Sequence, residues 1–216
     1  MKILVGVPCA EAARFSLFYD GLMHVAGVTK DNVCVVRGSS IAKNRNVIAQ
    51  QAIAGGFDAV WYVDDDQAIL PDTLERLAAH DKDIVSGLYL SREVPFRPHV
   101  YRDGEDGCSE QLQLPPQGGL FSPHAVGAGC LLVKTGVFSA MGQPWWRLGQ
   151  ISSETWGDDL DFCRRARDVG FEVWCDLDCQ VGHLVSPVVV WPSLDGTGWK
   201  ALLAQEEKVL AQWNIR

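Results

Sequence analysis

The densest chemistry in the sequence is the run Asp64, Asp65 and Asp66, which directly follows the apolar stretch Ala59-Val60-Trp61-Tyr62-Val63. Adjacent carboxylates repel one another and resist burial, so something of opposite charge has to compensate them. In extended chain Asp64 and Asp66 project to one side and Asp65 to the other. Oxygen ligands so placed suit a hard divalent cation, Mg2+ or Mn2+, which would in turn take up a substrate's phosphates. The competing reading is a solvated acidic turn ahead of the helix opened by Pro71-Asp72. A second acidic group, Asp158-Asp159-Leu160-Asp161, follows Gly157. There Asp158 is placed to cap a helix and Asp159 to sit at its positive end. Equally, one of the two is placed to act as general base toward a hydroxyl, its pKa raised by its neighbour. His183 follows Gly182 at a strand end. Alone it reads as a satisfied core histidine; beside two carboxylates it reads as the nitrogen of a mixed site suited to Mn2+.

The elements between these residues have to bring them together. Short apolar runs at 2–8, 32–37, 58–63 and 83–90 alternate with helical periodicity at 11–26, 41–53 and 71–80. This alternation predicts a mainly parallel sheet covered by helices on both faces. Such sheets bind ligands beyond the carboxyl ends of their strands, where the three aspartates fall. Residues 91–125, with Pro95, Pro98, Pro115 and Pro116, read as a long loop of little regular structure. Beyond it the pattern predicts a strand at 126–133, helices at 135–141 and 158–169, and strands at 171–176 and 179–185. A C-terminal helix is expected over 198–213, with Trp199, Leu202, Leu203, Val209, Leu210 and Trp213 near one face.

The chain has 216 residues, 27 acidic against 19 basic, a net charge of −8 and 47% hydrophobic residues. Those values describe one globular domain and exclude disordered, collagenous and coiled-coil chains. No apolar run approaches the ~20 residues that span a bilayer, so no membrane insertion is expected. The opening Met1-Lys2-Ile3-Leu4 is too soon charged for a signal peptide, so a cytoplasmic protein is expected, and the length suits one domain with no appended module. The acidity argues against a large duplex-DNA footprint or an anionic membrane surface. Seven scattered cysteines read as reduced core thiols. The sharper alternative is a zinc site from Cys175, Cys179 and His183 with Cys163, against which stands the strand-like alternation of 171–175. Ser40-Ile41-Ala42-Lys43 and Lys134-Thr135-Gly136 fit two marks of penicillin-binding serine hydrolases, but S-D-N is absent and Ser40 is well placed as a helix cap. No phosphate loop or dinucleotide fingerprint is present.

In order, Ser40-Ile41-Ala42-Lys43-Asn44-Arg45-Asn46, Trp61-Tyr62-Val63-Asp64-Asp65-Asp66, Ile84-Val85-Ser86-Gly87-Leu88-Tyr89, Val126-Gly127-Ala128-Gly129-Cys130-Leu131-Leu132-Val133, Gly157-Asp158-Asp159-Leu160-Asp161-Phe162-Cys163 and His183 resemble the small metal-dependent glycosyltransferases of the GT-A fold, near the broad family 2 group. The resemblance implies an α/β, Rossmann-like single domain with a mixed, mainly parallel sheet flanked by helices. Residues 1–95 would form the nucleotide-sugar half and 96–190 the acceptor half. It implies transfer of a sugar from a nucleoside-diphosphate sugar, UDP favoured over GDP, to an acceptor hydroxyl, with Mn2+ or Mg2+ on the diphosphate. Asp64 and Asp65 would lie at the nucleotide sugar, with Asp64, Asp66 and His183 at the metal. Arg45 and Asn46 would lie beside the nucleotide, and Pro8 and Cys9 at the nucleobase end. Gly127 and Gly129 would let the backbone approach the sugar. Asp159 matches the base of inverting members and Asp158 stands where glutamate is commoner, so either serves as the base; a retaining mechanism would need neither.

Trp145, Trp146 and Trp156 offer apolar platforms for the acceptor, with simple core packing as the alternative, and the 91–125 loop is placed to close over the donor. The acceptor class stays open between a glycan, a small molecule and a modified nucleobase, the last engaging Arg92, Arg97 and Arg102. Such enzymes occur in bacteria and in bacteriophages, the latter acting in the host cytoplasm. Two rivals are a nucleotidyltransferase-like enzyme and a non-catalytic nucleotide- or carbohydrate-binding module of the same fold. The first calls for a glycine- and basic-rich loop where Pro8-Cys9-Ala10-Glu11 stands.

Overall fold

The computed structural model describes residues 1–10, 16–38, 40–104, 109–112, 118–151, 154–185, 188–192, 198–203 and 209–214, with side chains omitted at 105–111, 149–156 and beyond 185. In chain order the first half holds β1 (Ile3–Cys9), α1 (Ser16–His24), β2 (Val33–Arg37), α2 (Ile41–Ala54), β3 (Ala59–Val63), β4 (Gln67–Ala68), α3 (Thr73–Ala79) and β5 (Ile84–Leu88). There follow β6 (Val100–Asp103), β7 (Ser109–Gln111), β8 (Leu120–Phe121), β9 (Ala125–Val126), β10 (Cys130–Lys134), α4 (Thr135–Met141), β11 (Gly149–Ile151), β12 (Glu154–Trp156) and α5 (Asp158–Asp168). The chain ends with β13 (Val173–Gln180), β14 (Gly182–Val185), β15 (Val188–Pro192), β16 (Gly198–Leu203) and β17 (Val209–Asn214).

β3 and β5 are buried at every residue, as unbroken apolar runs in a sheet covered on both faces must be. They lie in a seven-stranded sheet of order β2-β1-β3-β10-β5-β13-β8. β1 runs parallel to β2 and β3, and β13 parallel to β5, whereas β10 is antiparallel to both of its neighbours. Because β10 inserts between β3 and β5, the two expected halves share one sheet. One face carries α2, α4 and α5, with Ile48, Phe138, Trp146 and Phe162 in its core; the other carries α1 and α3, with Phe18, Leu22 and Leu77. Fully burying side chains of this size contributes roughly 1.5–3 kcal/mol each. Gly6 lets α2 lie close on β1, because a Cβ there would run into Ile48.

Ser40 caps α2, its side chain accepting from the Lys43 amide at 3.4 Å, which accounts for the S-x-x-K spacing without a nucleophile. Two expectations are corrected. The 91–125 stretch is not a structureless loop: β6 pairs with β7 and β9 in a small antiparallel sheet, and β8 joins the edge of the main one. The segment expected as a C-terminal helix is β16 and β17, paired at Trp199↔Trp213 within a five-stranded sheet of order β17-β16-β15-β14-β4. Its apolar residues fit a helical stripe in isolation, but without β16 the outer edge of β15 would be left unpaired, and ladder formation overrides the local preference.

Candidate active site

The carboxyl ends of β3 and β5 open onto a cleft of about 470 Å³, lined among others by Arg45, Asp64, Asp66, Tyr89, Asp159 and His183. A second hollow of about 430 Å³ lies around Lys2, Phe57 and Glu75 and contains none of the expected residues.

The two acidic clusters meet through Arg45. Asn44, one residue earlier on α2, donates to the Cys9 and Gly38 carbonyls at 2.9 and 3.3 Å, which fixes the start of the helix against the end of β1. Arg45 then reaches both Asp64 oxygens, at 3.0 and 3.1 Å, and Asp158 Oδ2 at 2.8 Å. Burial disfavours its charged form, but Asp64 and Asp158 outweigh that cost and hold its pKa above the ordinary arginine value. Burial pushes Asp64 up to about 6, against the lowering effect of Arg45. The pair therefore leaves the arginine charged, while Asp64, which also faces Asp66 and Asp158, stays easy to protonate.

The Asp64 pKa in the fold stands above the 3.8 of an ordinary aspartate, so its contribution to stability is present below pH ~3.8 and is lost as pH rises through about 6. Asp64→Asn should therefore gain stability relative to the unmutated chain between pH 4 and pH 7. Urea denaturation at both pH values checks this, and a difference that does not change with pH contradicts it.

Asp66 is joined to His183 by strand pairing. β4 and β14 place His183 opposite Gln67, and the Leu184 amide donates to the Asp66 carbonyl at 2.7 Å. His183 Nδ1 lies 2.6 Å from the Leu90 carbonyl. A carbonyl only accepts, so Nδ1 carries the proton and, in the neutral ring, Nε2 carries the lone pair. That Nε2 stands 3.5 Å from Asp66 Oδ1. Two electron-rich atoms so placed fit a shared divalent cation, with the Leu90 bond as the support that fixes the ring. Asp64 differs from the expected ligand set because both its oxygens meet Arg45. Among the described residues no three His, Cys, Asp or Glu side chains form a group that could hold a metal.

Asp158 and Asp159 part ways at the start of α5. Asp158 is tied to Arg45, while Asp159 lines the cleft, its Oδ1 accepting from the Leu160 amide at 2.9 Å. Burial raises the Asp159 pKa, opposed by Arg45. Asp161 faces elsewhere: it is 1% exposed and takes Arg147, Arg164 and Arg165 at 3.0, 3.2 and 3.5 Å.

Other expected residues are placed differently. Asn46 is engaged within the fold, its Oδ1 accepting from the Trp145 and Trp146 amides and its Nδ2 donating to the Trp146 carbonyl, and it is not among the residues that line the cleft. Trp145 and Trp146 are 4% and 1% exposed. Trp146 stacks on Phe162 at 4.1 Å and donates to Tyr62 Oη. These two indoles pack in the core, the alternative to their reading as acceptor platforms. The Trp156 side chain lies outside the described residues. Pro8 is buried within β1 opposite Val36. Asp65 turns away from the cleft to hydrogen-bond Cys9, whose thiol is pushed up to about 11 by burial and by that carboxylate. Gly127 and Gly129 make room for a side chain: a Cβ at either would strike Tyr89, whose Oη accepts from the Gly129 amide at 3.0 Å.

Tyr89 stacks on His99 at 4.7 Å, with His183 edge-on at 5.7 Å. Burial and His183 lower the His99 pKa to about 4, so its ring is neutral at neutral pH. His99 carried no local signal beyond its residue type. Arg92 and Arg97 line the cleft and Arg102 is not among its lining residues. The six described cysteines are free, and burial raises the thiol pKa of Cys130 to about 11 and of Cys163 to about 12. Cys175 and Cys179 sit in one strand, β13.

No protein-family model and no curated protein sequence matches the chain. Its structure is similar to that of A197 from STIV, at 16% identity and a TM-score of 0.65 over 98% of this chain and 97% of that one. It is also similar to residues 1–349 of S. aureus TarS in complex with UDP-GlcNAc, at 15% identity and a TM-score of 0.51 over 82% of this chain and 56% of that one. At these identities the likeness is one of fold, and the chain has a GT-A-like, Rossmann-type fold in a single domain. No helix among the described residues is long and apolar enough to cross a membrane.

Proposed function

We propose that the chain is a glycosyltransferase that moves a sugar from a nucleoside-diphosphate sugar, UDP favoured, to an acceptor hydroxyl with inversion. The observation that carries this reading is one cleft holding two separately positioned acidic functions. One is the Asp66–His183 pair, with Nε2 turned toward the carboxylate at 3.5 Å and Nδ1 held by the Leu90 carbonyl. The other is Asp159, distinct from the Arg45-bound Asp158. The fold it shares with TarS, solved with UDP-GlcNAc, supports the donor class.

On this reading Asp66 and His183 would hold Mn2+ or Mg2+. Bound there, the cation supplies charge neutralisation of the departing nucleoside diphosphate. Asp159 takes the proton of the acceptor hydroxyl as its oxygen bonds to the anomeric carbon, and the bond to the diphosphate breaks with its electron pair leaving on phosphate. Arg45 keeps Asp64 and Asp158 fixed while this happens. A neutral His99, backed by Tyr89, offers a hydrogen-bond partner rather than a charge to a sugar hydroxyl. The acceptor class is a glycan, a small molecule or a modified nucleobase.

A panel of UDP- and GDP-sugars, with and without Mn2+, read by thermal shift and by slow hydrolysis, tests the reading. At least one sugar nucleotide is expected to raise the melting temperature and to be hydrolysed in an Mn2+-dependent way. Asp66→Ala should reduce that hydrolysis by about 100-fold or more. If no sugar nucleotide is bound with Mn2+, the proposal fails; binding without turnover makes the chain a binding module, and release of pyrophosphate in synthesis makes it a nucleotidyltransferase.

A further inference from the structure

A cation belonging to the protein itself stands beside the candidate metal position, on the other oxygen of Asp66. Arg92 Nη1 lies 3.0 Å from Asp66 Oδ2, while Oδ1 of the same carboxylate faces His183 Nε2 at 3.5 Å. The two partners differ in exposure, with 50% of the Arg92 side chain and 11% of Asp66 open to solvent. The loop that carries Arg92 is closed at its base. The Ser91 amide donates to the Arg97 carbonyl at 2.8 Å, the Arg97 amide donates to Ser91 Oγ at 2.9 Å, and Leu90 bridges Pro98. Arg92 can thus leave Asp66 by side-chain rotation alone, with the backbone frame intact. An ion pair with one half-exposed partner is weak, worth roughly a two- to fivefold factor in an equilibrium constant. A divalent ion brings twice the charge to the same carboxylate at shorter range.

On the reading of the cleft proposed above, we infer that Arg92 is an exchangeable counter-ion. It neutralises Asp66 in the unloaded protein and yields that carboxylate to the incoming divalent cation. The released guanidinium, still within the cleft, then pairs with the diphosphate that accompanies the metal. The fork of a guanidinium suits two phosphate oxygens at once, and so gives the displaced side chain a destination of matching geometry. The pair also explains how a motif of three aspartates is tolerated without a metal: Arg45 compensates Asp64 and Arg92 compensates Asp66.

Calorimetry on Arg92→Gln separates the two halves of this exchange. With MnCl2 alone the variant should bind Mn2+ about two- to fivefold more tightly than the unmutated chain, since no resident cation competes. With saturating MnCl2 it should bind UDP about tenfold more weakly or worse, having lost a charged partner of the diphosphate. Arg92→Lys should recover part of the UDP affinity, its ammonium giving charge without the fork. Mn2+ affinity that is unchanged or lower in Arg92→Gln overturns the counter-ion role, and unchanged UDP affinity overturns the diphosphate role. If the unmutated chain takes up neither Mn2+ nor UDP, the metal-dependent reading of the cleft falls, and the exchange with it.

Discussion

Asp159→Asn is expected to lower the rate of sugar transfer by about 10²–10⁴-fold while leaving donor binding within roughly a factor of two. The amide keeps the size of the side chain and its contact with the Leu160 amide, so the loss isolates the missing proton acceptor. Asp158→Asn should cost less than about tenfold, because an amide oxygen still accepts from Arg45 and the proton transfer is untouched. Since burial raises the Asp159 pKa, the rate should climb with pH as this carboxyl ionises, starting above the usual carboxylate range. The measurement is single-turnover transfer, or donor hydrolysis if the acceptor is not in hand, across pH 4–8. If Asp158→Asn shows the larger loss, the base is Asp158. If neither variant slows the reaction, the inverting mechanism is wrong.

Arg45→Ala should produce the largest loss of stability. The side chain is 5% exposed and serves two carboxylates at once, Asp64 and Asp158, themselves 29% and 14% exposed. Removing it leaves both without their cation, a change that costs about 3–5 kcal/mol in comparable buried pairs. At about 2–4 °C per kcal/mol for a chain of this size, the melting temperature should fall by roughly 10 °C. The deficit should shrink toward pH 4, where Asp64, with a pKa of about 6, is protonated and no longer needs the arginine. Arg45→Lys should fall between, since an ammonium cannot span both partners with the geometry of a fork. Arg76→Ala, which breaks the exposed pair with Asp72, serves as control and should stay within about 0.5 kcal/mol. A similar small effect for Arg45→Ala would mean that the two acidic clusters do not depend on it.

The two experiments bear on one arrangement seen from opposite sides. Arg45 binds Asp158, while Asp159 lines the cleft; on the proposed reading the arginine thereby separates their roles. The sequence alone left the two aspartates undistinguished, because adjacent positions at a helix start are equivalent until a partner selects one.

Residues whose structure depends on near neighbours were legible in the sequence. The apolar runs that become β1, β3 and β5, the helices α2, α4 and α5, and the position of Asp64-Asp65-Asp66 beyond a strand all follow from periodicity and from cap and breaker residues within a few positions. The need to compensate three aspartates was equally legible, since it is a matter of charge. What the sequence could not tell is which groups do the compensating. Arg45 and Arg92 meet Asp64 and Asp66, and His183 meets Asp66, through helix docking and through the β4–β14 pairing. Only tertiary structure buried Trp145 and Trp146, filled the space beside Gly127 and Gly129 with Tyr89, and drew 198–203 and 209–214 into strands. These outcomes depend on contacts between residues far apart in the chain, whose free energies exceed the local preferences that periodicity reports.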